Sequence, residues 1–159
     1  MIKDQEQQFL NRAIELSRYG MLHYKGGPFG CVVVHKNEII GEGYNRVTEL
    51  NDPTAHAEIV AIRNACEKLG SFQLTGCDIY TSCEPCPMCL GAIYWARPQR
   101  VIYANTKKDA AAIHFDDRFI YDEIEKPDCD RRIKFIHTPS AEALRVFAEW
   151  EKLDRKQPY

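Results

Sequence analysis

Cys77-Asp-Ile-Tyr-Thr-Ser-Cys-Glu-Pro-Cys-Pro-Met-Cys-Leu-Gly-Ala-Ile-Tyr-Trp-Ala-Arg-Pro98 switches structural period within one short stretch. Cys77 to Thr81 reads as a strand, and prolines at 85 and 87 break it. Leu90 to Ala96 then reads as a helix that Arg97-Pro98 ends, and Val101-Ile-Tyr-Ala104 supplies the next strand. Working outward, Pro53-Thr54 precedes an apolar stripe of Ile59, Ile62, Cys66 and Leu69 with Gly70 just beyond, which predicts a helix carrying His56 and Glu58 in its first turn. Further upstream, Phe29 to His35 and Ile39 to Asn45 predict two antiparallel strands joined by Lys36-Asn37-Glu38. Residues 3 to 19 predict an amphipathic first helix closed by Gly20. Downstream, residues 118 to 126 read as a short helix, and Ile133 to Ile136 as a last strand. Residues 140 to 154 read as a final helix with Ala143, Val146, Phe147, Trp150 and Leu153 on one face. Strands alternating with helices imply an α/β fold, a three-layer α/β/α sandwich.

The chain has 159 residues, 45% of them hydrophobic, which suits one compact domain and is short for two. A formal net charge of -2 disfavours nucleic acid as a partner, since phosphate binding calls for a basic footprint. No apolar run approaches a membrane span, and the first residues lack a signal peptide's basic and apolar regions, so a cytoplasmic location is expected. Seven cysteines, an odd number with three of them between Cys83 and Cys89, fit metal binding in a reducing compartment better than a disulfide framework. Cys31, Cys66, Cys77 and Cys129 read as free thiols.

His56, Cys86 and Cys89 offer one nitrogen and two sulfur ligands from two separated stretches. Structural zinc takes four protein ligands, whereas catalytic zinc takes three and keeps a position for water. Three are supplied here, and Glu58 stands two residues from the imidazole as a carboxylate able to take and return protons. Both ligand stretches open helices, where the helix dipole and unpaired amides favour thiolate. Cys83-x-x-Cys86-x-x-Cys89 also has part of an iron-sulfur spacing, but the fourth thiolate has no proper place. Cys83 reads as a small packed residue at a strand end, and Glu84 as a solvated loop charge. His23, His35, His114 and His137 have no spaced partners. Asn45 suits a turn or a pocket, and Asp116-Asp117 suits a helix cap.

His-x-Glu with Pro-Cys-x-x-Cys resembles the signature of the zinc nucleobase deaminases. Asn51-Asp-Pro-Thr-Ala-His-Ala-Glu58, Tyr80 to Pro98, Phe115-Asp-Asp-Arg-Phe-Ile-Tyr121, Gly26-Gly-Pro-Phe-Gly30 and a terminal tyrosine together resemble the bacterial guanine deaminases of the cytidine-deaminase-like superfamily. The resemblance spans nearly the whole chain; the Phe-Asp-Asp segment and the last residue are what point to guanine. It implies a five-stranded mixed sheet flanked by helices, and a single deaminase domain over 1–159. It also implies a homodimer whose C-terminal segments, about 138–159, exchange between subunits. One zinc ion per subunit would be held by His56, Cys86 and Cys89. Guanine would be hydrolysed to xanthine and ammonia, with Glu58 moving protons and Asp117 assisting departure of the amine. Asn45 and the Ala57 amide would bind the purine, Phe29 and Trp95 would pack on its ring, and Tyr159 would close the pocket, in cis or in trans. Two residues depart from the family pattern: Cys31 where alanine is usual, and His114 where a smaller residue is common.

Two other readings stay open. A tRNA adenosine deaminase, or a deaminase of guanosine or another base, would share the fold and would show basic residues around the pocket in the tRNA case. A non-catalytic zinc-stabilised module would be expected to lose the acid/base carboxylate, and Glu58 is present.

Overall fold

The computed structural model describes residues 4–159. In chain order the elements are α1 (Asp4–Leu22), β1 (Gly30–His35), β2 (Glu38–Tyr44), α2 (Val47–Leu50), α3 (Ala57–Leu69), β3 (Cys77–Cys83), α4 (Pro87–Ala96), β4 (Arg100–Asn105), α5 (Lys107–Ala112), α6 (Arg118–Ile124), a 3-10 turn at Asp128–Asp130 and α7 (Ala141–Glu151). They form two compact units, one ending at Asp117 and one running from Arg118 to Tyr159.

In the first unit, Lys36 and Asn37 both take positive φ, 49° and 65°. A two-residue hairpin turn needs this backbone to match the twist of its strands. It joins β1 to β2 with His35 opposite Glu38 and Gly30 opposite Tyr44. The ladder steps from Val33↔Gly41 to Val34↔Ile39, so Ile40 is the extra residue of a β-bulge. β3 lies antiparallel along the other side of β1, and β4 runs parallel to β3, giving the order β2-β1-β3-β4. The parallel pair requires a crossover, which α4 provides.

Alternate residues of the strands face opposite layers. Val32, Val34 and Tyr80 join Leu10 and Leu16 of α1. Cys31, Val33 and Ile79 join Ala57, Ala61 and Ala65 of α3, with Ile93 and Ala96 of α4. The α3 layer sits very close to the sheet: a Cβ on Gly41 would lie 2.4 Å from the Ala61 carbonyl oxygen, and one on Gly43 would lie 2.3 Å from that of Ala57. Three layers, α/β/α, are therefore present.

Two expectations need correction. The sheet has four strands among the described residues, not five, because Ile133 to Ile136 enters no ladder. That segment belongs to the second unit, which holds no other strand for it to pair with. Gly20 does not close α1, which runs on to Leu22; it is buried there, and a Cβ would meet the Tyr44 ring at 3.0 Å. Neither α2 nor α5 was expected, since each is too short to display an apolar period. α5 is instead secured by a capping box, Thr106 accepting from the Asp109 amide while the Asp109 carboxylate accepts from that of Thr106.

The second unit carries α6, the 3-10 turn and α7, the last capped by Ser140. Arg131 donates to the carbonyls of Glu123 and Lys126, and its guanidinium lies 4.9 Å from the Phe135 ring centroid. None of its residues is buried in the single chain. No described helix is long and apolar enough to cross a membrane.

Candidate active site

His56 and Cys86 occupy equivalent places. Each is the N-cap residue of a helix, α3 and α4 respectively, in extended conformation (φ -68°, ψ 156° and φ -67°, ψ 169°), and neither side chain caps its own helix. Both side chains are thus free to point toward one another. Nδ1 of His56 is 3.5 Å from Sγ of Cys86 and 3.5 Å from Sγ of Cys89. Among the described residues, these form the one set of three ligand-type side chains whose atoms all lie within 4.8 Å of one another.

The set fits zinc. Tetrahedral zinc with ordinary Zn–S and Zn–N bonds separates a sulfur from a nitrogen ligand by about 3.6 Å, and the observed 3.5 Å agrees. The two thiols are set in opposite directions. The Cys86 thiol is brought down to about 4, first by its hydrogen bond with Cys89 and then by His56. The same bond and burial push Cys89 up. His56 is raised by its hydrogen bond to Cys86.

Glu58 follows on the first turn of α3 and is buried. Its carboxylate lies 3.4 Å from Cys89 Sγ, and the Thr81 hydroxyl of β3 reaches it at 3.5 Å. Burial raises its pKa, and the Cys86 thiolate adds to this. A buried carboxyl biased toward its protonated form, beside a metal site, is suited to carrying protons. Thr81 had no sequence signal, because a hydroxyl buried in a central strand looks like any β-branched residue.

Asn45, just past β2, holds the turn there. Oδ1 accepts from the amides of Gly27 (3.3 Å) and Val47 (3.2 Å), which fixes which end of the side chain is oxygen. The Nδ2 group is left to donate elsewhere. Gly26 permits the approach, since a Cβ there would fall 2.1 Å from Oδ1. Ala57 opens α3, so its amide is one that helical hydrogen bonding cannot satisfy. Phe29 meets Phe115 edge to face, ring centroids 5.0 Å apart, above Gly27.

Asp117 closes the first unit. It is half-buried, and its carboxyl is raised by desolvation and by the negative charge of Cys86. Trp95 is placed differently from Phe29: it is 61% exposed, beside the exposed Tyr94 on α4. Tyr159 lies exposed in the second unit. Cys31 is buried opposite Thr81 in the β1–β3 ladder, and burial raises its thiol. Cys83 ends β3 with its thiol directed at the Thr106 carbonyl and pushed up to about 11 by burial, so it stands outside the ligand set. His114 takes φ 71° just before Phe115. Glu84 is not a solvated charge: it is half-buried and accepts from the Lys107 amide at 3.0 Å.

Residues 3–105 match the cytidine and deoxycytidylate deaminase zinc-binding region. The chain belongs to that deaminase family. Within it, the chain is 54% identical to the guanine deaminase of Bacillus subtilis over 151 residues, 95% of this chain and 97% of that one. The X-ray structure of the Bacillus subtilis guanine deaminase superposes with a TM-score of 0.94, covering 96% of this chain and 98% of that chain. A guanine deaminase from Nitrosomonas europaea is 31% identical with a TM-score of 0.66, over 74% of this chain and 66% of that one. The tRNA-specific adenosine deaminase of Aquifex aeolicus is 36% identical over 79% of this chain and 80% of its own length. As a member of this deaminase family, the chain is a zinc enzyme, and its His56, Cys86 and Cys89 meet the chemistry of that metal.

Proposed function

We propose that this chain hydrolyses guanine to xanthine and ammonia. The observation that carries the reading is its likeness to a guanine deaminase over 95% of the chain. That span exceeds the zinc-binding region and takes in the Phe115–Tyr121 pocket segment. The likeness to the tRNA-specific adenosine deaminase of Aquifex aeolicus covers 79%.

Zinc, when held by His56, Cys86 and Cys89, supplies a Lewis acid that makes a water molecule acidic enough to react near neutral pH. Glu58 takes the proton from that water and delivers it to a ring nitrogen of guanine next to C2. Once the water oxygen has bonded to C2, Asp117 gives a proton to the amine as the C2–N bond breaks and recovers one from the new C2 hydroxyl as it becomes the carbonyl, so one water is consumed and one ammonia released for each xanthine. Its half-buried carboxyl, raised first by desolvation, supports this role. Asn45, through Nδ2, and the Ala57 amide hold acceptor atoms of the purine. Phe29, backed by Phe115, packs on the ring and excludes water. Trp95, exposed on α4, is the second aromatic read as packing on the ring.

The deaminase domain is read as one functional domain over 1–159, acting as a homodimer that exchanges about residues 138–159. Exposed Phe147 and Trp150 on α7, with Leu153 just beyond it, support a covering partner of the same chain. Tyr159 then closes the pocket of one subunit or the other. The test is ammonia release from the zinc-loaded protein with guanine, guanosine, adenine, cytosine, cytidine and a tRNA anticodon stem in parallel. Guanine is expected to react with xanthine appearing. Reaction of the anticodon stem with guanine inert would replace this reading with adenosine deamination.

A further inference from the structure

The Glu84-Pro85-Cys86 segment contains one charged side chain that the chemistry above does not use. Three contacts sew it to the start of α5. The Glu84 amide donates to the Asn105 carbonyl at 2.8 Å, and the Glu84 carboxylate accepts from the Lys107 amide at 3.0 Å. The Lys107 ammonium lies 3.6 Å from the other carboxylate oxygen. The neighbouring Cys83 thiol adds a weak bond to the Thr106 carbonyl.

α5 is six residues long, about 9 Å at 1.5 Å per residue. A helix this short is marginal by itself and depends on its ends being held. Its N-terminus is held by the Thr106–Asp109 capping box and, from outside, by Glu84 at the first helical amide. Its last turn passes straight to the pocket segment: the His114 amide donates to the Ala111 carbonyl and the Phe115 amide to that of Ala110. Phe115 stands edge-on to Phe29, and Asp117 follows two residues later. A shift at one end of so short a rod is transmitted to the other.

We propose that Glu84 is a positioning residue: through α5 it keeps the Phe115–Asp117 wall of the substrate pocket aligned with the loop that carries Cys86. The proposal rests on guanine as substrate and on Phe115 and Asp117 as pocket groups. It assigns the glutamate of Glu-Pro-Cys to substrate placement, although it stands two residues from a metal ligand.

The experiment compares full-length, zinc-loaded Glu84→Ala and Glu84→Gln with the parent. It reads zinc content, kcat and KM for guanine, and amide hydrogen exchange of residues 107–117. The alanine variant should keep its zinc, raise KM about tenfold, lower kcat as well because Asp117 shifts with Phe115, and exchange faster across 107–117. The glutamine variant should stay within about twofold of the parent on each measure, because its amide oxygen still accepts from Lys107. A parental KM and exchange pattern in the alanine variant would overturn the proposal. Equal impairment of both variants, or loss of zinc from the alanine variant, would do the same. If the parent leaves guanine untouched, the substrate reading fails by itself, and the exchange comparison still decides whether Glu84 holds α5.

Discussion

Residues 4–117 and 118–159 handle apolar side chains in opposite ways. The first unit seals Val32, Val33, Leu74, Ile79 and Tyr80 almost completely. The second leaves Ile133, Phe135, Ile136, Phe147 and Leu153 open to solvent in the single chain, although α7 is as amphipathic as a core helix. A sealed core can hold metal ligands to a fraction of an ångström. An uncovered face cannot, and it signals that something outside its own fold completes it.

Glu58→Ala strikes the sealed unit at its chemistry. Turnover of guanine should fall about ten-thousandfold with zinc retained, read by steady-state rates and metal analysis. Retained turnover would remove Glu58 from proton transfer, and lost zinc would make it a support of the metal site. Asp117→Asn changes the last residue of the first unit and should lower kcat about a hundredfold. A parental rate would return Asp117 to a capping role.

Deleting the last four residues tests whether the open unit serves the same reaction. Guanine turnover should fall about tenfold while zinc content and the unfolding temperature hold. Mixing the deleted chain with Glu58→Ala sharpens this. Recovery of activity on subunit exchange would place Tyr159 in trans, because the Glu58→Ala chain would lend its tail to the partner's intact Glu58. No recovery despite exchange would place it in cis.

The smallest effect concerns the frame of the sealed unit. Arg12 grips Glu42 through two hydrogen bonds of 2.7 and 2.9 Å, which hold that carboxyl below its ordinary range. A depressed carboxyl stabilises the fold above its unfolded value of about 4.3, and that contribution fades as pH falls through the folded value. Glu42→Gln should therefore cost less than about 1 kcal/mol at neutral pH for so exposed a pair. The difference from the parent should shrink in denaturant melts as pH is taken progressively below about 4.3.

The metal ligands and Glu58 were legible in the sequence because they are bound to short spacings and to helix starts, both of which are local. The four paired strands were legible from alternation and turn residues, as at Lys36-Asn37. What escaped depends on distance along the chain. Thr81 meets Glu58 across 23 residues, and Glu84 meets Lys107 across another 23. No periodicity encodes such pairings. The missing fifth strand failed for a related reason: Ile133 to Ile136 has strand composition, but a strand exists only where a ladder partner lies alongside.

The close seat of α3 on β2 has a consequence for how such a scaffold can change. Gly41 and Gly43 leave no side-chain atoms between strand and helix, and the Ala57 carbonyl under Gly43 follows the zinc-binding imidazole by one residue. One added methyl at Gly43 would lift the start of α3, carrying His56 and Glu58 away from Cys86 and Cys89 together. Loops around the pocket can lengthen, shorten or recolour to admit another base, but the gauge that spaces metal from carboxylate is kept by two places where the chain holds nothing at all.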